Sequence, residues 1–544
     1  MTGAYSSIDL REFADAPYER VSEAFEWEIP KEWNVGRAIC DVHSETGRTA
    51  LRYRRGDGGT VERSFGDIDR RASSLAGWLH ERGTGRGDRI GIALPQRIET
   101  LVSHVATYKL GAIAVPTSVL TGTDELRYRL NKADVSALIA APETVDAVDF
   151  DAVDLETCLV VGATDEHDRW IDALESGDSS FETRTTSAED PCMITFTSGT
   201  TGHPKGVVHA HRCLAPYHLG FEVMAEFPGD DAVVFTPADW AWIAGTFDTT
   251  FPAWYNGQTV VGYESDTFVP SDVFELLETY GVTHSLFTPT MLRMMKGSPV
   301  SPESYDLDLD VVITGGEPSS MELFEWIDDA FSGVTLNEHF GQTEADLLTT
   351  NSAVITGRRR TSVGRPIPGH EVAIIDDTGE RLPAGETGRI AVASPDPAIM
   401  LEYWDEPEKT DEAFIDGWLD TGDLGYRDED GFFWFAGRGD ELIVSSGYRI
   451  SPVEVERKIE EHEDVRDAVV FATSDERRGT VVTAAVDAAP ERDEDELREE
   501  IVRLVKTEKA KYKYPRRIEF VDGVPRTSTN KTDRESIKRR FDGE

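Results

Sequence analysis

A run of hydroxyls, glycines and one lysine, Thr197-Ser198-Gly199-Thr200-Thr201-Gly202-His203-Pro204-Lys205-Gly206, follows the apolar, β-branched stretch 193–196. That order reads as a strand opening into a pliant loop. Such a loop can hold phosphate: glycines let backbone N–H groups turn toward an anion, Ser and Thr hydroxyls donate further hydrogen bonds, and Lys205 adds a point charge. The spacing is not that of a Walker loop, because Pro204-Lys205-Gly206 stands where Gly-Lys-Ser/Thr is required. By composition alone the same run also serves as an ordinary connection. Further along, Gly315-Gly316-Glu317-Pro318 follows the strand-like 311–314, the place of a nucleotide-edge loop or of a plain tight turn. Asp423, in Trp418-Leu419-Asp420-Thr421-Gly422-Asp423, taken alone reads as closing a turn before Leu424.

The elements that must carry these residues alternate. Short apolar runs at 89–93, 112–115, 137–140, 159–161, 233–236, 282–287 and 311–314 read as strands, and 68–82, 99–108, 272–280 and 321–330 as helices. Regular β–α alternation predicts parallel sheets covered by helices. Gly83-Thr84-Gly85-Arg86-Gly87-Asp88 precedes a strand instead of following one, so it is a turn and not a dinucleotide loop. From about Ser362, short strands with Asp-Gly, Ala-Gly and Pro-Gly turns predict an antiparallel, distorted β-barrel section. After Arg438 comes a compact unit with helices at 452–461 and 493–506 and strands at 468–472 and 481–486. The expected division is an α/β domain over 1–439, built of two parallel-type subdomains and the barrel, and a small α+β domain over 440–544.

A chain of 544 residues exceeds one core, which agrees with two or more domains. No apolar run reaches the ~18 residues of a membrane span. The acidic, polar 1–20 stretch lacks the basic flank and apolar centre of a signal peptide, so a cytoplasmic protein is expected. The four cysteines, Cys40, Cys158, Cys192 and Cys213, are dispersed and read as buried thiols. With 55 basic and 102 acidic side chains the net charge is −47, which repels nucleic acid and anionic membranes. So dispersed an excess resembles the surface of a protein from a salt-accumulating organism, where cations screen the self-repulsion; a merely acidic protein is the plainer reading.

Three more strings complete a pattern: Asn337-Glu338-His339-Phe340-Gly341-Gln342-Thr343-Glu344, read at a strand end; Gly437-Arg438-Gly439-Asp440-Glu441-Leu442-Ile443; and Pro525-Arg526-Thr527-Ser528-Thr529-Asn530-Lys531-Thr532-Asp533-Arg534. Together with the first loop, in this order and over nearly the whole chain, they resemble the adenylate-forming (AMP-binding) enzymes, and medium-chain acyl-CoA synthetases in particular. Asn530 stands where the family usually has glycine, and Asn best tolerates a left-handed backbone.

The resemblance implies roles. The Thr197–Lys205 loop, with Thr197, Ser198, Gly199, Thr200, Thr201, Gly202 and Lys205, would grip the outer phosphates of ATP. Gly316, Glu317, Pro318, Glu338, His339, Phe340, Gly341 and Gln342 would line the nucleotide, with Phe340 on adenine. Thr343 would meet the α-phosphate, Glu344 would hold Mg²⁺, and Asp423 and Arg438 would take the ribose. Lys531 would be the catalytic lysine with Thr343 and Glu344, and Asp440 the hinge. After a swing of the small domain, Ser446, Gly447 and Arg449 would face coenzyme A, with Gly447 giving pantetheine a close backbone approach. The basic group Lys506, Lys509, Lys511, Lys513, Arg516 and Arg517 is a solvated face or a landing site for phosphates of coenzyme A.

The expected reaction is two-step: a fatty acid attacks ATP to give an acyl-adenylate and pyrophosphate, then coenzyme A takes the acyl group and AMP leaves. No carrier domain follows the lysine motif before Glu544, which favours free coenzyme A as acceptor. Acetate-specific relatives carry tryptophan before Gln-Thr-Glu. Gly341 stands there in this chain, so a deeper pocket for butyrate to about decanoate is expected, walled by Trp242 and neighbours such as Phe247. An aryl or short-chain acyl-CoA ligase, a luciferase-like oxidase and a non-catalytic nucleotide-binding homologue are the alternatives; Glu344, Asp423 and Lys531 speak against the last. Self-association into a homo-oligomer is left open.

Overall fold

The computed structural model describes residues 5–541 apart from 149–152, 165–166, 198–202, 266, 440, 442, 446–447, 463, 476–478, 490–491, 509–512 and 526–531. Two large mixed sheets form first. In the eight-stranded sheet the order is Glu402–Tyr403, Lys205–Ala210, Pro191–Thr197, Ile113–Pro116, Arg89–Ala93, Ala137–Ala140, Thr157–Val160 and Asp168–Arg169. It is parallel except at the edge where Lys205–Ala210 folds back on Pro191–Thr197, with Thr197 opposite Lys205. The nine-stranded sheet has a parallel centre, Thr335–Gln342, Val311–Gly315, His284–Leu286, Val233–Phe235, Thr259–Tyr263 and Thr49–Arg54, with antiparallel strands at both edges.

The helices follow their local signals. Phe65–Glu81 starts where the Ser64 hydroxyl accepts from the Asp67 N–H, and it buries Ile68, Ala72, Leu75, Ala76 and Leu79. Ile98–Leu110 stops at Gly111, whose φ of 68° lies in the left-handed region. The expected strands and helices are present with ends shifted by a few residues. One motif sits differently: the strand Thr335–Gln342 runs through Asn337 to Gln342 instead of ending before them. Its polar residues hid it from an apolar pattern, yet both neighbours pair with it, Val311–Gly315 in parallel and Ala345–Asn351 antiparallel.

The section expected as a distorted barrel is a five-stranded antiparallel sheet of Val372–Ile375, Gly388–Ala393, Trp418–Arg427, Phe414–Ile415 and Phe433–Arg438. Its first turn is tied by the Asp376 carboxylate, which accepts from the Thr378 and Glu380 N–H groups. Beyond it stand a hairpin, Ile443–Ser445 with Tyr448–Ile450, a three-stranded sheet, Val465–Asp475, Gly479–Ala488 and Arg517–Phe520, and the helices Pro452–Glu460, Glu494–Glu508 and Arg534–Phe541. Ile443, Val455, Ile459, Val470, Val482, Leu497, Ile501 and Ile518 pack there in a cluster of their own. The fold is thus a mixed α/β chain with a large N-terminal and a small C-terminal domain. Among the described residues no helix is long and apolar enough to cross a membrane.

Candidate active site

A cavity of about 1030 Å³ opens where the two large sheets, the five-stranded sheet and the helix Pro452–Glu460 meet. It is ample for a nucleotide and an acid together. Thr195, Thr197 and Lys205 reach it from the eight-stranded sheet, Gly315 to Pro318 and Glu338 to Glu344 from the nine-stranded sheet, and Asp423 and Arg438 from the five-stranded one.

On one wall Gly315 lies in register with His339, and a Cβ there would come within 2.3 Å of the ring, so only glycine fits beside it. Gly316 follows at φ 79°, turning the chain toward Glu317. Glu317 Oε2 accepts from Thr290 Oγ1 at 2.7 Å and from Arg293 Nη2 at 3.0 Å. Glu338 is 1 % exposed, accepts from the Ser319 N–H at 3.2 Å, and is pushed up to about 7 by burial, against the pull of Arg457. Phe340 is buried between the cavity and the five-stranded sheet, its ring centroid 6.4 Å from that of Phe435.

Asp423 and Arg438 are cross-strand partners in one ladder, 3.6 Å apart at Oδ1 and Nη1. Asp423 is therefore a strand residue, and not the closing residue of a turn.

Glu344 and Lys205 are joined by a residue that the sequence did not single out. The Tyr403 hydroxyl donates to Glu344 Oε1 at 2.8 Å, and the Lys205 ammonium sits 4.1 Å from the centroid of the same ring. Burial and the Glu344 charge raise the tyrosine so that it stays a donor. Thr343 is held from behind: burial lowers His209 to about 4, so its neutral ring donates through Nε2 to the Thr343 carbonyl at 2.6 Å. Among the described residues no group of three His, Cys, Asp or Glu could hold a metal ion. Glu344, one carboxylate facing the cavity, fits a cation that takes one or two protein oxygens and the rest from phosphates and water, which is the habit of Mg²⁺.

Trp242 and Gly341 also line the cavity. The space beside Gly341 is not empty, since a Cβ there would lie 2.0 Å from Asp346 Oδ1. Phe247 belongs to the interior instead: its ring packs on Tyr217 and Phe251, with centroids 5.4 and 5.0 Å away, because the wide turn Thr246–Thr250 faces it away from the cavity. Asp248 and Asp346, also unpredicted, line the cavity.

Residues 41–404 match the model of the AMP-binding enzymes, and 454–531 that of the AMP-binding enzyme C-terminal domain. The chain belongs to the AMP-binding enzyme family. It is 31% identical to the mitochondrial acyl-coenzyme A synthetase ACSM3 of Rattus norvegicus, over 96% of this chain and 93% of that protein. It is 32% identical to the uncharacterized acyl-CoA ligase YtcI of Bacillus subtilis (strain 168), over 94% and 96%. Among solved structures it is similar to the anthranilate CoA ligase AuaEII in complex with anthranoyl-AMP, with a TM-score of 0.86, 27% identity, and coverage of 94% and 98%.

The C-terminal domain of this AMP-binding enzyme closes the cavity with Val453, Glu456, Arg457, Glu460, Asp467, Ala468, Thr532 and Arg534. Ser451, which caps the helix Pro452–Glu460, also donates to the Ala436 carbonyl across the domain seam. Arg534 donates to Glu456 Oε2 at 2.8 Å and lies 3.2 Å from Glu441. Ser198, Gly199, Thr200, Thr201, Gly202, Asp440, Ser446, Gly447 and Lys531 lie outside the described residues, as do Lys509 and Lys511. Arg449 is placed on the strand Tyr448–Ile450. From the basic group, Lys506 and Arg516 lie over the Tyr514 ring, and Lys513 pairs with Glu454 at 2.5 Å.

Proposed function

We propose that this AMP-binding enzyme is an ATP-dependent acid–thiol ligase: it activates a medium-chain carboxylic acid as its adenylate and passes the acyl group to coenzyme A, releasing pyrophosphate and AMP. The supporting observation is convergence on one cavity of Lys205, Glu344, the Asp423–Arg438 pair and, from the C-terminal domain, Thr532 and Arg534. These residues come from three sheets and the C-terminal domain, and each answers one need of the reaction.

A carboxylate is a poor electrophile until its oxygen carries a good leaving group. In the first step the acid's oxygen attacks the α-phosphorus of ATP, the P–O bond to pyrophosphate breaks, and charge shifts onto the departing phosphates. Positioning and charge neutralisation supply most of the acceleration. Asp423 with Arg438 fixes the ribose and Phe340 the adenine; Lys205 meets the outer phosphates; Lys531 neutralises charge between acid and α-phosphate. Glu344, oriented by Tyr403, holds Mg²⁺, which when bound supplies electrostatic stabilisation of the phosphates. In the second step the thiol of coenzyme A attacks the acyl carbon and AMP leaves. We place the domain boundary at 439/440 with Asp440 as hinge, so that Ser446, Gly447 and Arg449 reach the site once Lys531 has left it. A cytoplasmic setting belongs to the same proposal.

The medium-chain reading rests on apolar walls of the cavity, among them Trp242, Ile243, Phe268, Leu286 and Met291. An aryl acid is the second reading, favoured by the likeness to a structure that holds anthranoyl-AMP. The test is a panel of acids assayed for acid-dependent pyrophosphate release and then for coenzyme A-dependent AMP release. Pyrophosphate without a thioester would leave an adenylating enzyme of another fate, and neither product would leave a nucleotide-binding homologue.

A further inference from the structure

The far end of the acid's pocket is not a hydrocarbon floor. The short helical turn Ile243–Gly245 widens into the π turn Thr246–Thr250, a form often found at functional sites. Three hydroxyls pin it, Thr246 to the Trp242 carbonyl at 3.0 Å, Thr249 to Ala244 at 2.9 Å and Thr250 to Gly245 at 2.7 Å. The widened turn brings Asp248 to the cavity, where it is 2 % exposed and its Oδ1 has no hydrogen-bond partner. Asp346, 8 % exposed, lines the same cavity; its Oδ1 accepts from the Leu347 N–H and occupies the space that any side chain at 341 would need. The Tyr217 hydroxyl, also buried, has no hydrogen-bond partner. Burial, reinforced by the Asp346 charge, pushes the Asp248 carboxyl well above its usual range.

A methyl terminus laid against this floor would leave Asp248 Oδ1 unpaired in a low-dielectric pocket, whereas a cation would pair with it. We infer that the acid carries a protonated amine at its far end, held by Asp248 with Asp346, so that the substrates are ω-amino carboxylic acids. This rests on the acid–thiol ligase reading and refines its substrate class. Trp242 and Ile243 then face the methylene stem, and the two aspartates read its length.

The test compares fatty acids from butyrate to octanoate with ω-amino acids of the same chain lengths, in pyrophosphate release and thioester formation, for wild type and Asp248→Asn. The expected result is an ω-amino acid favoured about 100-fold in kcat/KM over its plain counterpart, the kind of discrimination a buried polar site makes. Asp248→Asn should shrink that ratio at least tenfold with ATP-dependent steps still measurable on plain acids. Should wild type favour plain acids at every length, the inference is overturned and the ligase reading stands. An unchanged ratio in Asp248→Asn also overturns it. Failure of every acid to release pyrophosphate overturns the ligase reading and this inference together. The wild-type panel decides the matter even if the variant does not fold.

Discussion

The wall proposed for the nucleotide and the end proposed for the acid are built in different ways. Along the nucleotide wall, short contiguous strings supply the lining, and their side chains are already engaged: Glu317 with Thr290 and Arg293, Asp423 with Arg438, Glu344 with Tyr403. At the acid end, single residues from separate elements meet, and the charged neighbour of the buried Asp248 is another carboxylate, Asp346. Buried oxygens without a hydrogen-bond partner occur on both, Glu317 Oε1 and Glu338 Oε2 on the wall and Asp248 Oδ1 at the end, each at a cost to folding of about 1–3 kcal/mol. What differs is charge: the wall's carboxylates face arginines, Glu317 with Arg293, Asp423 with Arg438 and Glu338 with Arg457, whereas burial and a second carboxylate act together on Asp248.

Removing the proposed catalytic charge should have the largest effect. Lys531→Ala is expected to slow adenylate formation by about 10³-fold, since removal of one positioned charge from a transition state costs that much. Thiolysis of a supplied acyl-adenylate should continue near the wild-type rate, measured as coenzyme A-dependent AMP release. Equal losses in both half-reactions would remove Lys531 from the first step. Asp423→Ala comes next. It strips the carboxylate that faces Arg438 and the proposed acceptors for ribose, so KM for ATP should rise about 100-fold with a smaller change in kcat. Chain-length preference should not move, because the acid end is separately built; a shifted preference would contradict the comparison.

How much of this was legible depends on the same difference. The motifs of the nucleotide wall are contiguous, so their residues could be named from sequence, and the alternating apolar runs gave the two parallel-centred sheets. Tyr403 escaped because it reaches Glu344 only through tertiary folding, its strand pairing with Lys205–Ala210 at Val207. Asp248 and Asp346 escaped for a like reason: each looks like one more acid in an acidic chain until burial sets it apart. The strand Thr335–Gln342 was not delimited from sequence because Asn337, Glu338 and His339 are polar yet buried, paired by backbone on both sides.

Gly341 sharpens the comparison from the acid side. From sequence, its missing side chain means a deeper pocket; in the structure it makes room for the Asp346 carboxylate. Gly341→Trp should therefore do more than shorten the pocket: the indole must displace Asp346, costing about 1–3 kcal/mol in stability as overpacking does. Thermal melts and an acid panel should show a lowered midpoint, a shift toward acetate and propionate, and an ATP KM within a factor of about 3 of wild type. A wild-type midpoint with an unaltered acid profile would mean that the indole finds another place.

The smallest expected effect lies at the seam between the nucleotide wall and the C-terminal domain, where pH can report on burial. Glu338 sits 1 % exposed on the wall and faces Arg457 of the helix Pro452–Glu460, while Glu460 of that helix faces Arg293. Burial pushes both carboxyls up to about 7, from 4.5 in an unfolded chain, with the arginines pulling the other way. Between those values the folded protein keeps protons that the unfolded chain has released. Stability contributed by these groups is therefore full below pH 4.5 and is lost as pH rises toward 7. Glu338→Gln removes one of the two titrations. Since it also removes the attraction to Arg457, the net change in the pH-dependent part should be on the order of 1 kcal/mol, seen as a shallower fall of the melting midpoint between pH 5 and pH 7.5. The acid end offers the control. Asp248 titrates in an environment without an arginine among its causes of shift, so Glu338→Gln should leave the pH dependence of acid preference unchanged. Were that preference to move with Glu338, the two ends of the cavity would be electrostatically one site, and the contrast between them would fail.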